Sequence, residues 1–103
     1  MKEYQSVREK EYVLPRAVYY QCVWIVRDME RMEKTPVSEL DLTRQRLECI
    51  RRAILEIPEE YRSGVLKSIA VRGTNAGDFA HENTWKRWRQ RFIFRLAKNL
   101  GLY

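Results

Sequence analysis

Residues 83–101 read NTWKRWRQRFIFRLAKNLG. This stretch predicts one helix, because Asn83 can accept hydrogen bonds from the free backbone N–H groups at its start and Gly101 can turn left-handed after its end. It contains six lysines and arginines and no acidic residue, whereas the whole chain has a formal net charge of +6. The remainder of the chain is therefore electrically balanced, and this concentration of charge indicates a binding site on the helix.

The apolar and basic residues of this helix separate onto two sides. At about 100° per residue, one side collects the apolar residues Trp85, Trp88, Phe92, Ile93, Leu96 and Leu100. The other side collects the cations Arg87, Arg91, Arg95 and Lys98, with Thr84 at the same edge and Gln90 nearby. Arg89 points toward the apolar side and Phe94 points out among the cations. The pattern predicts a helix that packs on a core and offers its basic side to a charged partner.

Length and composition predict one compact, mostly helical domain. The chain has 103 residues, 45% of them apolar and 33% charged, with 4 glycines and 3 prolines. No run approaches the roughly 18 apolar residues of a membrane span, and the polar N-terminus does not resemble a signal peptide. Cys22 and Cys49 fall inside helical patterns and are expected to be reduced core residues, which favours a cytoplasmic location.

The rest of the chain predicts three further helices. Residues 1–12 alternate charges without periodicity and are expected to form a flexible arm before a single domain at 13–103. The predicted helices run from Leu14–Pro15 to about Glu33, from about Glu39 to Glu56, and from Pro58 to near Arg72–Gly73. With the basic C-terminal helix they make an all-α bundle of four main helices.

The first of these helices is apolar most of the way round. One stripe contains Leu14, Val18, Cys22, Ile25, Met29 and Met32, and Tyr20 and Trp24 extend it. Such a helix is either central to the core or part of an oligomer interface. We expect a central position, because a domain of this size has few other places to bury Trp24 and its neighbouring tyrosines. The second helix is expected to pair antiparallel with it across a short turn.

The C-terminal half resembles a known DNA-binding unit. Residues 57–101 contain three segments in order, namely IPEEYRSGVLKSIAVRG, a short DFA segment and TWKRWRQRFIFRLAKNLG. This order resembles the helix-turn-helix of sigma-70 region 4, with a helix-turn-helix-like unit at about 58–101. A closer resemblance is to the small phage and prophage regulators related to the ArpU and RinA late-gene activators. It rests on the segments LPRAVYYQCVWIVRDMERM, LEIPEEYR and HENTWKRWRQRFIFRLAKNLG. In the helix-turn-helix a short supporting helix precedes the basic recognition helix, and here that supporting helix is shortened to about Asp78–His81.

This resemblance implies a transcriptional regulator whose last helix lies in the major groove of double-stranded DNA. The candidate DNA-contacting residues are then Asn83, Thr84, Lys86, Arg87, Gln90 and Arg91, followed by Arg95 and Lys98. Arg87 or Arg91 could read guanine and Gln90 could read adenine. Arg95 and Lys98, further along, would meet phosphates. RNA polymerase is a further partner that the resemblance implies, with the cytoplasm of a bacterial host cell as the location. A homodimer is a separate possibility that rests on the wide apolar arc of the first helix.

Catalytic motifs are not recognisable in this sequence. The single histidine, His81, follows Asp78 by three residues, and we interpret the pair as polar ends of one helical turn. The sequence shows no nucleophile elbow, phosphate-cradling glycine loop or metal-ligand cluster, so we expect a protein without enzymatic activity, cofactor or metal.

The alternative function is a small phage-encoded interaction or inhibitor protein, whose basic helix occupies an acidic or nucleic-acid-binding groove on a host protein. DNA binding requires the cations to face outward in one plane. The alternative predicts an exposed patch of Phe94 and the aromatic side of the first helix.

Overall fold

The computed structural model describes residues 12–35, 41–70 and 82–103. Its helices are α1 (Arg16–Arg27), α2 (Met29–Glu33), α3 (Asp41–Ile54), α4 (Glu59–Ala70) and α5 (Glu82–Asn99). The Cα radius of gyration is 13.4 Å, close to the roughly 13 Å of a compact domain of this length. The predicted all-α, single-domain fold is confirmed.

The predicted first helix is divided at Asp28 into α1 and α2. The N–H of Asp28 donates to Trp24 O at 3.0 Å, so the turn follows α1 directly. The carboxylate of Asp28 accepts from Arg31 Nε at 2.6 Å. This bond joins two side chains, and the Asp28 side chain makes no hydrogen bond to the backbone at the start of α2. The break lies where Asp28 takes φ −86° and ψ −1°, away from the ψ of about −42° of a regular α-helix. α1 begins at Arg16, one residue later than predicted, so Pro15 takes the position before the first helical residue.

The basic helix α5 lies at the centre of the domain. It packs against α1, α3 and α4. Phe92, Ile93, Leu96 and Ala97 are completely buried along its inner side. A helix of 18 residues is long enough to contact several shorter helices along one apolar side.

The prediction that the first helix is the central one is therefore wrong. α1 buries Tyr19, Cys22, Val23 and Val26 against the core. Trp24, however, is 61% exposed, and Ile25 is only half-buried. The apolar arc of α1 is wider than the surface that its neighbours cover.

α3 packs chiefly against α5 and meets the first helical segment at α2. The predicted pairing of the first and second helices is thus limited chiefly to α2, and α3 packs mainly on the last helix. A reciprocal pair of hydrogen bonds joins α3 and α5. The Cys49 thiol donates to Asn99 O at 3.3 Å, and Asn99 Nδ2 donates to Cys49 O at 3.2 Å.

The connection between α3 and α4 is held by a buried side chain and an arginine. Ile57 is 1% exposed, and Arg62 Nε donates to its carbonyl oxygen at 2.8 Å. Glu59 and Glu60 occupy the first turn of α4, where the helix dipole favours negative charge. The predicted end of this helix near Arg72–Gly73 and the supporting segment Asp78–His81 lie outside the described residues.

The end of α5 agrees with its sequence signals. Gly101 has a φ of +74°, its N–H donates to Lys98 O at 3.1 Å, and the N–H of Leu102 donates to Ala97 O at 3.0 Å. This is the Schellman arrangement that a left-handed glycine permits. At the other end, α5 begins at Glu82, so Asn83 lies within the first turn and not before it, and the helix includes one acidic residue.

A candidate nucleic-acid interface on the last helix

Four cations of α5 lie on the side turned away from its buried residues. We call Arg87, Arg91, Arg95 and Lys98 the cationic strip. Arg87, Arg95 and Lys98 are exposed, and Arg91 is half-buried. With a rise of about 1.5 Å per residue, the strip extends about 16 Å along the helix axis, or about five base-pair steps of 3.4 Å in duplex DNA. An extended row of cations of this kind can follow a phosphate backbone.

Arg91 is held between two aromatic rings. Its guanidinium carbon lies 4.9 Å from the centroid of the Tyr12 ring and 5.2 Å from that of Trp88. A planar guanidinium can stack on aromatic faces and still donate through its N–H edges. The rings therefore restrict the orientation of Arg91, which reduces the conformational entropy that binding an anion would cost.

The other end of the strip is also tied to neighbouring groups. Arg95 Nε lies 3.5 Å from Glu56 Oε1, and both side chains are largely exposed. Lys98 Nζ lies 5.5 Å from the Phe94 ring centroid and 4.9 Å from that of Tyr103. Phe94, which the sequence places among the cations, is half-buried, and its ring centroid lies 5.4 Å from that of Tyr12 and 6.0 Å from that of Tyr103. An exposed ion pair is weak, so Arg95 can exchange Glu56 for another anion at little cost.

Gln90 does not belong to this surface. It is 3% exposed, and its Nε2 donates to the carbonyl oxygen of Tyr12 at 3.4 Å. The expectation that Gln90 reads adenine is therefore wrong for this structure, because its side chain points inward and joins α5 to the segment before α1. Lys86 is half-buried on the arc that Ile93 and Ala97 share, away from the strip.

The remaining candidates lie at the start of α5. Thr84 is half-buried at the edge of the strip, and the position of the Asn83 side chain lies outside the described residues. Three residues that the sequence analysis did not select contact the strip, namely Tyr12, Glu56 and Tyr103. Tyr12 was assigned to the flexible arm, although its aromatic ring directly precedes the apolar pair Val13–Leu14. No local pattern indicates Glu56, because its contact with α5 depends on how α3 packs.

Aromatic contacts fix the N-terminal half of α5 on α4. The Tyr61 ring lies 5.2 Å from the Trp85 ring in an edge-to-face arrangement and 5.9 Å from the Trp88 ring. Such pairs add to the free energy gained by burying the rings. The interpretation of both tryptophans as packing residues is confirmed, and they hold α4 and α5 together.

The described residues show no other evident chemistry. They contain no group of three histidine, cysteine, aspartate or glutamate side chains that could bind a metal ion. Burial raises the pKa of the Cys22 thiol to about 12, so this cysteine stays protonated and unreactive at neutral pH. His81 lies outside the described part of the chain. No described helix is both long and apolar enough to cross a membrane.

Comparison with known proteins gives no relative, since no family model, curated protein or solved structure matches this chain.

Proposed function

We propose that the chain binds double-stranded DNA through the cationic strip and acts as a small transcriptional regulator of the phage or prophage type. The observation that carries this proposal is the alignment of Arg87, Arg91, Arg95 and Lys98 along the outer side of one rigid helix. Contacts between such cations and phosphates supply most of the affinity of DNA-binding proteins and release counterions. The role proposed for these residues is binding and not catalysis.

We expect different residues of the cationic strip to contact bases and phosphates. Arg87 is exposed at the N-terminal end, where a recognition helix meets base edges, and is the best candidate to read a base. Arg91, Arg95 and Lys98 follow at intervals of three or four residues and suit contacts with phosphates. Because Gln90 is buried, sequence readout depends on fewer side chains than the sequence suggested.

Binding to duplex DNA over a series of salt concentrations tests the proposal. Promoter fragments from the same replicon serve as specific DNA, and a scrambled duplex serves as the control. If four cations meet phosphates, log K falls against log salt with a slope of roughly −3.6. Arg87→Ala should weaken binding, whereas Arg51→Ala, which removes an exposed cation of α3, should not. Absence of binding at low salt, or equal effects of both substitutions, would contradict the proposal.

A second candidate function is the interaction protein whose basic helix occupies an acidic groove on a host protein. The burial of Gln90 favours this second function, because a strip of cations without a neighbouring exposed amide can bind an anionic surface without sequence specificity. This function predicts that specific and scrambled duplexes bind equally and that an acidic host protein displaces both.

A further inference from the structure

Trp24 is exposed on the side of α1 opposite its buried residues. At 61% exposure it is the most exposed aromatic side chain in the described part of the chain. The guanidinium carbon of Arg27 lies 5.0 Å from the centroid of its ring. Tryptophan is highly buried on average, and tryptophan and arginine are enriched among the residues that dominate protein interfaces. The pair therefore suggests an interface that is separate from the cationic strip.

A cleft lies beside Trp24, where α1 ends, α2 begins and α3 passes. Its volume is about 470 Å³, and its lining residues are Trp24, Ile25, Arg27, Asp28, Met32 and Arg46. This volume falls within the range of about 300–1,000 Å³ that is typical of pockets for small groups. Met32 is 1% exposed and Ile25 is half-buried, so the inner part of the cleft is apolar. The break of the helix at Asp28 forms one wall of the cleft.

The rim of the cleft is positively charged. Arg27 and Arg46 line it, and Asp28 is the one carboxylate among the lining residues. Arg31 Nε donates to that carboxylate at 2.6 Å, and this hydrogen bond holds the pKa of Asp28 below its ordinary value, with a smaller contribution from Arg46. Asp28 is thus already satisfied by an arginine from outside the cleft. An occupant meets an apolar floor and a cationic rim.

We propose that this cleft docks an acidic segment of a partner protein, which inserts one apolar side chain beside Trp24. The apolar floor suits an aliphatic or aromatic side chain, and the two arginines suit flanking carboxylates. A symmetric contact through this cleft would place the same two arginines on both sides of the interface, which is unfavourable. Single-stranded nucleic acid fits less well, because Arg27 covers a face of the indole on which a base would stack. The proposal does not depend on DNA binding by α5.

Selection of peptides on the intact protein tests the chemistry of the occupant. A display library of short peptides of random sequence is enriched on the native chain. We expect the enriched peptides to be acidic with at least one large apolar residue. Trp24→Ala and Arg46→Glu should each weaken a selected peptide by more than about tenfold. Leu55→Ala is the matched control, because Leu55 is 65% exposed and lies outside the cleft.

The indole N–H signal of Trp24 in nuclear magnetic resonance spectra, assigned with Trp24→Phe, should shift on addition of a selected peptide. Thermal unfolding checks that each variant remains folded. Enrichment of basic or uncharged peptides, failure to enrich any peptide, or unchanged binding by Trp24→Ala would overturn the proposal. A Trp24 signal that responds to a single-stranded oligonucleotide, or to protein concentration alone, would also overturn it and assign the cleft to nucleic acid or to a second copy.

Discussion

α5 and α1 contribute to the same core but place their large aromatic side chains differently. In α5, Phe92 is fully buried and Trp85 is nearly so, while the cationic strip occupies the outer side. In α1, Trp24 lies outside although several smaller residues of the helix are buried. α5 is covered by three other helices along its apolar side, whereas the neighbours of α1 cover only part of its wider apolar arc. Apolar surface that neighbours do not cover becomes available for a partner.

The largest expected effect separates the buried aromatic residue of α5 from the exposed one of α1. Phe92→Ala should lower the free energy of unfolding by about 3–5 kcal/mol, because the cavity lies at the centre of the core. Trp24→Ala should lower it by less than about 1 kcal/mol, since its side chain is mostly in solvent. Urea denaturation of the two variants measures both values. Similar losses would mean that α1 is as deeply embedded as α5.

Substitution of Gln90 tests whether its side chain belongs to the buried inner side of α5. Gln90→Ala should cost about 1–3 kcal/mol of stability, because the carbonyl oxygen of Tyr12 loses a hydrogen-bond donor. Sequence preference on DNA should be unchanged. Lys98→Ala is the matched control on the same helix, and we expect its stability to stay within about 0.5 kcal/mol of the parent. A change in base preference for Gln90→Ala at unchanged stability would return Gln90 to the binding surface.

Substitutions at the two ends of the cationic strip should affect DNA binding differently. Arg87→Ala should cost about 1–3 kcal/mol on the preferred duplex and relax preference at one base position. Lys98→Ala should weaken all duplexes alike and reduce the salt slope by about one unit. Trp24→Ala should leave both quantities unchanged, since its surface belongs to α1. If Arg87→Ala and Lys98→Ala weaken binding to the specific and the scrambled duplex equally, the helix binds DNA without sequence specificity.

The smallest expected effect concerns the ion pair that ties α3 to the strip. Glu56→Gln removes the carboxylate 3.5 Å from Arg95 and should strengthen DNA binding by about 0.2–1 kcal/mol, because Arg95 no longer exchanges partners. Glu48→Gln is the matched control, since Glu48 pairs with Arg52 within α3 at 3.3 Å. Titration with duplex DNA at two salt concentrations measures both variants. Equal gains would indicate a general charge effect and not a local one.

Several features of the fold could be predicted because they depend on local pattern. The helices follow from apolar spacing and from Pro15, Pro58 and Gly101, whose backbone preferences act within a few residues. The separation of cations from apolar residues on α5 follows from helical periodicity alone. The break at Asp28 was missed because the apolar stripe of Ile25, Met29 and Met32 continues across it.

The candidate site was only partly predictable for a different reason. Periodicity gives the direction of a side chain relative to its own helix, but not which neighbour lies there. Gln90 was expected near the basic side, and the segment containing Tyr12 covers that flank. Glu56 and Tyr103 reach the strip only because α3 and the C-terminal residues pack beside it. Contacts between residues far apart in the chain leave no trace in local spacing.

The amino-acid sequence by itself determined that the chain is helical and that four of the six cations in its last helix lie on the outer side of that helix. Both properties follow from residues within a few turns of one another. Only the tertiary structure decided that α5 occupies the centre, that Arg91 lies between two rings and that Trp24 remains outside. These outcomes depend on which helices compete for the same apolar surface, and in a domain of this size that surface is too small to cover every apolar side chain.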